Sequence, residues 1–328
     1  MCNPAYSHYF TFVFYNVENL FDTKNDTLSD DDEFTPNGEK YWKNNKYQAK
    51  LENIARVLRG VGQWELPAIV GLCEVENKNV LYDLSRHRLI NDAEYHLIHK
   101  DSPDRRGIDV AMLYREEVFQ PLKSRWISIL FESDPERTTR DILYVKGTIN
   151  DLDTLHIFIN HWPSRWGGIE ASQPRRIEAA RKLKQLTDSI YLADINPNIL
   201  IAGDFNDNPT DSSLHKVLQA GIKSELTADG LVNLMLEDFN EGETGTLKYR
   251  ESWETYDQII ISSSMYYLRH TQLTLNGAFV YAPDYLLIED ERYLGKKPFR
   301  TYIGPRYQGG FSDHLPVYIR FEKASKSE

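Results

Sequence analysis

The sequence predicts a mixed, largely antiparallel α/β fold, with two sheets face to face and helices outside. Three observations lead there. Short runs rich in Ile, Val and Phe recur along the chain and read as buried strands. Only a few stretches carry apolar residues at helical spacing. The two kinds do not alternate as a regular βαβ series would. There is no internal repeat, low-complexity tract or Pro/Ser-rich linker.

In chain order, Phe10 to Tyr15 is a strand that runs into Asn16. Asp22 to Glu33 is acidic and lacks an apolar run. Without the glycine and terminal glutamate of an EF-hand loop it reads as solvated. Asn45 to Leu58 sets Ala49, Ile54 and Val57 among charges, a helix for which Gly60 and Gly62 are stop signals. Ala68 to Cys73 is a strand ending at Glu74, with Glu76 beyond it expected to face solvent. Asp109 to Tyr114, Trp126 to Phe131 and Ile142 to Ile149 read as strands, as does Leu155 to Ile159, which ends at Asn160 and His161. Glu170 to Leu192 is a long helix through Ile177, Ala180, Leu183, Leu186 and Ile190. Ile199 to Gly203 is a strand ending at Asp204, and a short helix from Thr210 to Leu218 follows Pro209. Tyr256 to Ile261 and Leu315 to Phe321 complete the strands. Polar strand ends of this kind gather along one rim, where loops carry function on a rigid base.

Composition narrows the function. The 328 residues hold one large domain or two ordinary ones, with 41% hydrophobic residues for a core. A formal charge of −11 argues against a protein that coats polyanions, which needs a basic surface to release counterions. Two cysteines, Cys2 and Cys73, make neither a disulfide framework nor a zinc cluster, and Cys73 is expected to be a buried free thiol. No run approaches the ~20 apolar residues that span a bilayer, and the opening Met-Cys-Asn-Pro-Ala has neither a basic n-region nor an apolar h-region. The chain as given reads as soluble and cytoplasmic, with a removed export signal left open.

Four motifs carry chemistry. In Gly203-Asp-Phe-Asn206, a strand end offers Asp204 and Asn206 on one face, since side chains two apart on extended chain share a side. That pair can orient a water and hold a metal or phosphoryl oxygen; a simple turn is the competing reading. Ser312-Asp-His314 offers a ligand, Asp313, beside an imidazole that Asp257 of Tyr256-Asp-Gln could fix in one tautomer. In Asn160-His-Trp-Pro-Ser-Arg165, followed by Arg175 and Arg176, a histidine precedes a locally basic loop. That loop is either an anion site or a helix entry with solvated arginines. Glu74 ends an apolar run, where an unpaired carboxylate is costly and implies a cation or donor partner.

Taken in order, Asn16, Glu74, His161, Asp204 with Asn206, Asp257 and Asp313-His314 resemble the endonuclease/exonuclease/phosphatase superfamily, over roughly Phe10 to Phe321. The Asn-His-Trp-Pro-Ser-Arg form looks most like its bacterial branch. The resemblance implies a four-layer sandwich, and a single domain, because residues near both termini must meet at one site. It implies a divalent-metal-dependent hydrolase, nuclease or phosphatase, in which an activated water attacks a phosphoester in line. Glu74 looks like the principal Mg²⁺ (or Mn²⁺) ligand, with Asn16 and Asp313 supporting it directly or through water. Asp204 would orient or deprotonate the water, Asn206 hold it, and His314, held by Asp257, stabilise phosphoryl charge. His161 would donate to the phosphate or leaving oxygen, with Arg165 and Arg140 expected near the substrate.

Substrate identity is left open between nucleic acid and a small phosphorylated molecule, including phospholipid or inositol phosphate. The segment Tyr293 to Tyr302, running on to Arg306, is basic and aromatic, fit to stack a base or grip a phosphate or simply to pack its rings. A non-catalytic binding protein on the same scaffold is the competing class; it would be expected to have lost a carboxylate. No Gly-x-Ser-x-Gly, His-Glu-x-x-His or Gly-x-x-x-x-Gly-Lys motif supports another hydrolase.

Overall fold

The computed structural model describes residues 9–132, 134–149, 153–222, 227, 229–241, 245–267 and 273–323. Cys2 and the opening segment that bears on localisation lie outside them. The strands of the two main sheets are β1 (Tyr9–Leu20), β2 (Ile69–Val75), β3 (His96–His99), β4 (Asp109–Tyr114), β5 (Phe119–Ile127), β6 (Ile142–Ile149) and β7 (Asp153–His161). They continue as β8 (Asn198–Asp204), β9 (Ala220–Gly221), β10 (Leu231–Asn233), β11 (Asp257–Ser262), β12 (Leu273–Val280) and β13 (Val317–Lys323). One sheet runs β12-β13-β1-β2-β4-β3 and the other β5-β6-β7-β8-β11-β10-β9. Only β1–β2, β7–β8 and β9–β10 pair in parallel.

Alternation of side chains sorts the sequence into layers. Phe12 and Phe14 of β1 meet Ile157, Ile159 and Ala202 of the other sheet in a sealed central core. Val13 and Tyr15 point the other way, onto Ile54 and Leu58 of helix α1 (Asn44–Gly62), with α2 (Lys78–Ser85) beside it. On the far side Phe158, Ile199 and Ile201 pack under Ala180 and Leu183 of α3 (Ile169–Ala193). The result is the four-layer α/β sandwich, with two sheets between helices. Each fully buried Leu, Ile or Phe is worth about 1.5–3 kcal/mol, so the two-faced burial of these strands holds their register firmly.

Some boundaries differ from the sequence reading for local reasons. Helix α1 continues through Gly60 to Gly62. Gly60 instead lets the Tyr281 and Tyr285 hydroxyls lie close against the helix. The strand expected at Trp126 to Phe131 is β5, which ends at Ile127. Ile129 and Phe131 are apolar because they pack into the α3 layer, not because they pair. The last strand starts at Val317, after Pro316, which has no N–H to give. The short helix after Pro209 is a π-type turn at Ser213–Leu218. Asp22 to Glu33 is a mostly exposed loop, and Cys73 is a buried free thiol. Among the described residues, no helix is long and apolar enough to cross a membrane.

Candidate active site

The apolar inner face of the sandwich ends in a polar rung. Along β7, Ile157 and Ile159 face inward and His161 is the next residue on that side; along β8, Leu200 and Ala202 lead to Asp204. Strand pairing sets His161 opposite Asp204, and Asp204 opposite Asp257. From the facing sheet, Phe12 and Phe14 lead to Asn16, whose Nδ2 donates to Asp204 Oδ2 at 3.0 Å and so ties the two sheets together. His161 Nε2 lies 3.6 Å and His314 Nε2 3.8 Å from the same oxygen. Gly203 permits this rung, because a Cβ there would stand 2.5 Å from the Asn160 carbonyl.

Two members reach the rung by breaking strand geometry. Glu74 would point outward by alternation, but its φ of 62° and a register shift between Cys73 and Val75 turn it inward. The Asn19 N–H then donates to Glu74 Oε2 at 3.0 Å, and Asn16 Nδ2 approaches Oε1 at 3.4 Å. Asn206 is not on extended chain. With φ 53° it closes a turn in which its N–H donates to Asp204 Oδ1 at 2.9 Å, and its Nδ2 donates to the Trp162 carbonyl. The strand period expected to pair Asp204 with Asn206 therefore does not apply, and the two are tied instead through the Asn206 backbone N–H.

The loop before β13 supplies the remaining members. His314 Nδ1 meets Asp257 Oδ2 at 2.6 Å, and the Ser312 hydroxyl donates to the Asn16 carbonyl at 2.8 Å. Asp313 Oδ2 accepts from Arg300 Nη2 at 2.8 Å, and Arg300 Nε donates to Glu18 Oε1 at 3.2 Å. Behind them, buried Lys50 donates to Thr301 Oγ1 and the Phe311 carbonyl, both at 2.6 Å. Glu18 and Lys50 were not singled out from sequence. Their signal was a charge inside an apolar run or on an apolar helix face, while Arg300 was hidden within a basic, aromatic segment.

Burial sets the charges apart. Burial pushes Asp204 up to about 6, against the pull of His314 and with the repulsion of Asp257. His161 is held well below the ordinary range by burial and then by Arg140 and Arg106, so it is neutral. Burial alone would depress His314 too, but Asp257 and Asp204 raise it well above that range, so it is a cation. Asp313 is lowered: burial opposes its charge, but Arg300, His314 and Lys50 outweigh that. Asp257 Oδ1 and His161 Nδ1 are buried without hydrogen-bond partners.

The arginines and Glu76 take other places than expected. Arg140 donates to the carbonyls of His161 and Trp162 and to Asp104, all inside the protein. Arg165 donates to the Asn206 carbonyl and to Asp207 and Asp211, with its guanidinium over Tyr256. Arg176 is fully buried, 2.7 Å from Asp207. The basic loop is thus a brace for the Asp204 turn rather than an open anion site, because Asp207 and Asp211, just beyond Asn206, neutralise it. Glu76, expected to face solvent, is buried, takes the Asp22 N–H, and is pushed up to about 8 by burial.

Two carboxylates of the rung are open to water. The side chains of Glu74 and Asp313 are 15% and 26% exposed, whereas those of Asp204 and Asp257 are sealed at 2% and 0%. Carboxylate oxygens open to water suit a hard ion that keeps part of its hydration, such as Mg²⁺ or Mn²⁺. Asn16 is turned differently from a ligand. Its Oδ1 accepts the Glu18 N–H, leaving Nδ2 to face the carboxylates.

Comparison with known proteins identifies the fold and the family. No curated protein matches the sequence. The fold is similar to a humanised Danio rerio TDP2 (TM-score 0.59, 16% identity, 97% of this chain and 100% of that one). It is also similar to the Bacteroides thetaiotaomicron mannosyl-6-phosphatase (0.57, 16%, 95% and 99%) and to the human Nocturnin catalytic domain (0.57, 15%, 97% and 96%). A sequence model described as the endonuclease/exonuclease/phosphatase family matches residues 11–323, and the chain belongs to that family of metal-dependent phosphoester hydrolases.

Proposed function

We propose that this chain hydrolyses phosphoesters of limited size with Mg²⁺ or Mn²⁺, at the rung that joins Asn16, Glu74, His161, Asp204, Asn206, Asp257, Asp313 and His314. The observation that carries the reading is the surroundings of Asp204 Oδ2: an amide at 3.0 Å, a neutral imidazole at 3.6 Å and a cationic one at 3.8 Å. Such a carboxylate can take a proton from water while both imidazoles face the phosphoryl oxygens. Glu74 and Asp313 would hold the cation, which would supply Lewis-acid stabilisation of phosphoryl and leaving-group charge. Asp204 orients the attacking water, and its proton passes to the carboxylate as the ester P–O bond breaks in line. His314, fixed by Asp257, neutralises charge on the phosphoryl oxygens, and His161 donates to the leaving oxygen. Arg140 and Arg165 act as positioning residues, bracing the His161 and Asp204 ends of β7 and β8.

Substrate size is argued from charge. A net −11 disfavours a long nucleic acid unless positive charge is concentrated at the site. The similar structures include TDP2 with a single-strand DNA product and a mannosyl-6-phosphatase, so the fold does not choose between nucleic acid and a small phosphorylated molecule. We also propose that the chain is one domain, since β1 and β13, from opposite ends of the sequence, pair along their lengths. The experiment is turnover of plasmid DNA, an RNA oligonucleotide, bis-p-nitrophenyl phosphate and phosphomonoesters with Mg²⁺ or Mn²⁺. Asp204→Ala is expected to lose ~10² to 10⁴-fold in kcat, and chelator to abolish activity. A folded wild type that binds neither metal by calorimetry would leave the non-catalytic reading standing.

A further inference from the structure

Arg300 is a cation bonded directly to the open carboxylate of Asp313, and its bonds are specific. It bridges Asp313 Oδ2 (2.8 Å) and Glu18 Oε1 (3.2 Å), and the Thr301 N–H takes the second Glu18 oxygen at 2.6 Å. Thr301 is in turn tied to Lys50 on α1, and Phe311 to the same ammonium. Glu18 is 4% exposed, while the Arg300 side chain is 41% exposed, so the acid is fixed and the arginine that it holds is partly open to water. We propose that Arg300 is a built-in counter-cation that competes with the divalent ion for Asp313 and so sets how tightly that ion is held.

A guanidinium within hydrogen-bond reach of a ligand oxygen repels a second cation and must yield its bond when that oxygen turns to a metal. Removing its charge therefore tightens metal binding. A merely structural arginine has the opposite signature, because losing it would free Asp313 to rotate and weaken binding. Glu18 retains the guanidinium by one bond after Asp313 is taken, which keeps Arg300 at the rim of the site. This inference rests on Glu74 and Asp313 holding the ion.

The test is calorimetric titration of Mn²⁺ and Mg²⁺ into wild type, Arg300→Gln, Arg300→Ala and Arg300→Lys, with folding checked by circular dichroism. Either neutral variant is expected to bind about tenfold more tightly than wild type, with Arg300→Lys close to wild type. Unchanged or weaker binding in a folded neutral variant overturns the proposal. If neither neutral variant folds, phenylglyoxal labelling of wild-type Arg300, read by mass spectrometry, decides instead. Mn²⁺ is then expected to accelerate labelling, and an unchanged or slower rate overturns the proposal. Wild type that binds no ion at all would instead defeat the ligand assignment on which this inference stands.

Discussion

At the scale of single residues, the site works by keeping two similar groups in opposite states. His161 and His314 both face Asp204 Oδ2, yet Arg140 and Arg106 lie near one and Asp257 grips the other. Asp257→Asn keeps the shape and removes the charge that holds His314 cationic. Its kcat is expected to fall about 10²-fold or more, within the range of a lost general acid or base. Steady-state kinetics with an unchanged melting temperature would show that the loss is chemical. Asp204, His161 and His314 were legible because each sits where an apolar run meets a polar residue. The aim of Glu74 and Asn206 was not legible, since left-handed backbone at a non-glycine residue leaves no mark in composition. Nor was the orientation of Asn16, which depends on the Glu18 N–H.

At the scale of elements, the neighbouring ends of β7 and β8 are locked together before any substrate arrives. Trp162 packs edge-on to Phe205 at 4.8 Å, its backbone N–H donates to the Asp204 carbonyl, and Arg140 caps the carbonyls of His161 and Trp162. Arg140→Ala would take the guanidinium from the buried His161 carbonyl and remove the ion pair of buried Asp104, while the Trp162 carbonyl keeps the Asn206 amide. Urea unfolding is expected to show a loss of about 3 kcal/mol. A variant as stable as wild type would mean that Arg140 braces nothing. The strands themselves were readable from their apolar runs. The functions of Arg140, Arg165 and Arg176 were not, because a sequence does not say which carboxylate lies opposite an arginine.

For the whole molecule, cooperativity and pH response follow from the layers. Because β13 lies between β12 and β1, a single calorimetric transition is expected; two resolved transitions would contradict the one-domain proposal. His156, on β7 against Tyr144, is depressed to about 4 by burial and by Lys146. The unfolded chain, with an ordinary value near 6.5, binds a proton that the folded one refuses between those limits. Stability is thus full above about pH 6.5 and falls as pH drops toward 4. The loss is about 2 kcal/mol after solvent screening, and His156→Gln should flatten it in urea midpoints at pH 7.5 and 5. The polar rung has one more consequence. A one-residue slip of β7, β8 or β11 would carry His161, Asp204 or Asp257 to the opposite face of its strand, into the apolar layer beneath α3. The same three residues therefore serve as a checksum on strand order: a chain that misregisters buries lone charge, and only the correctly assembled sandwich owns an active site.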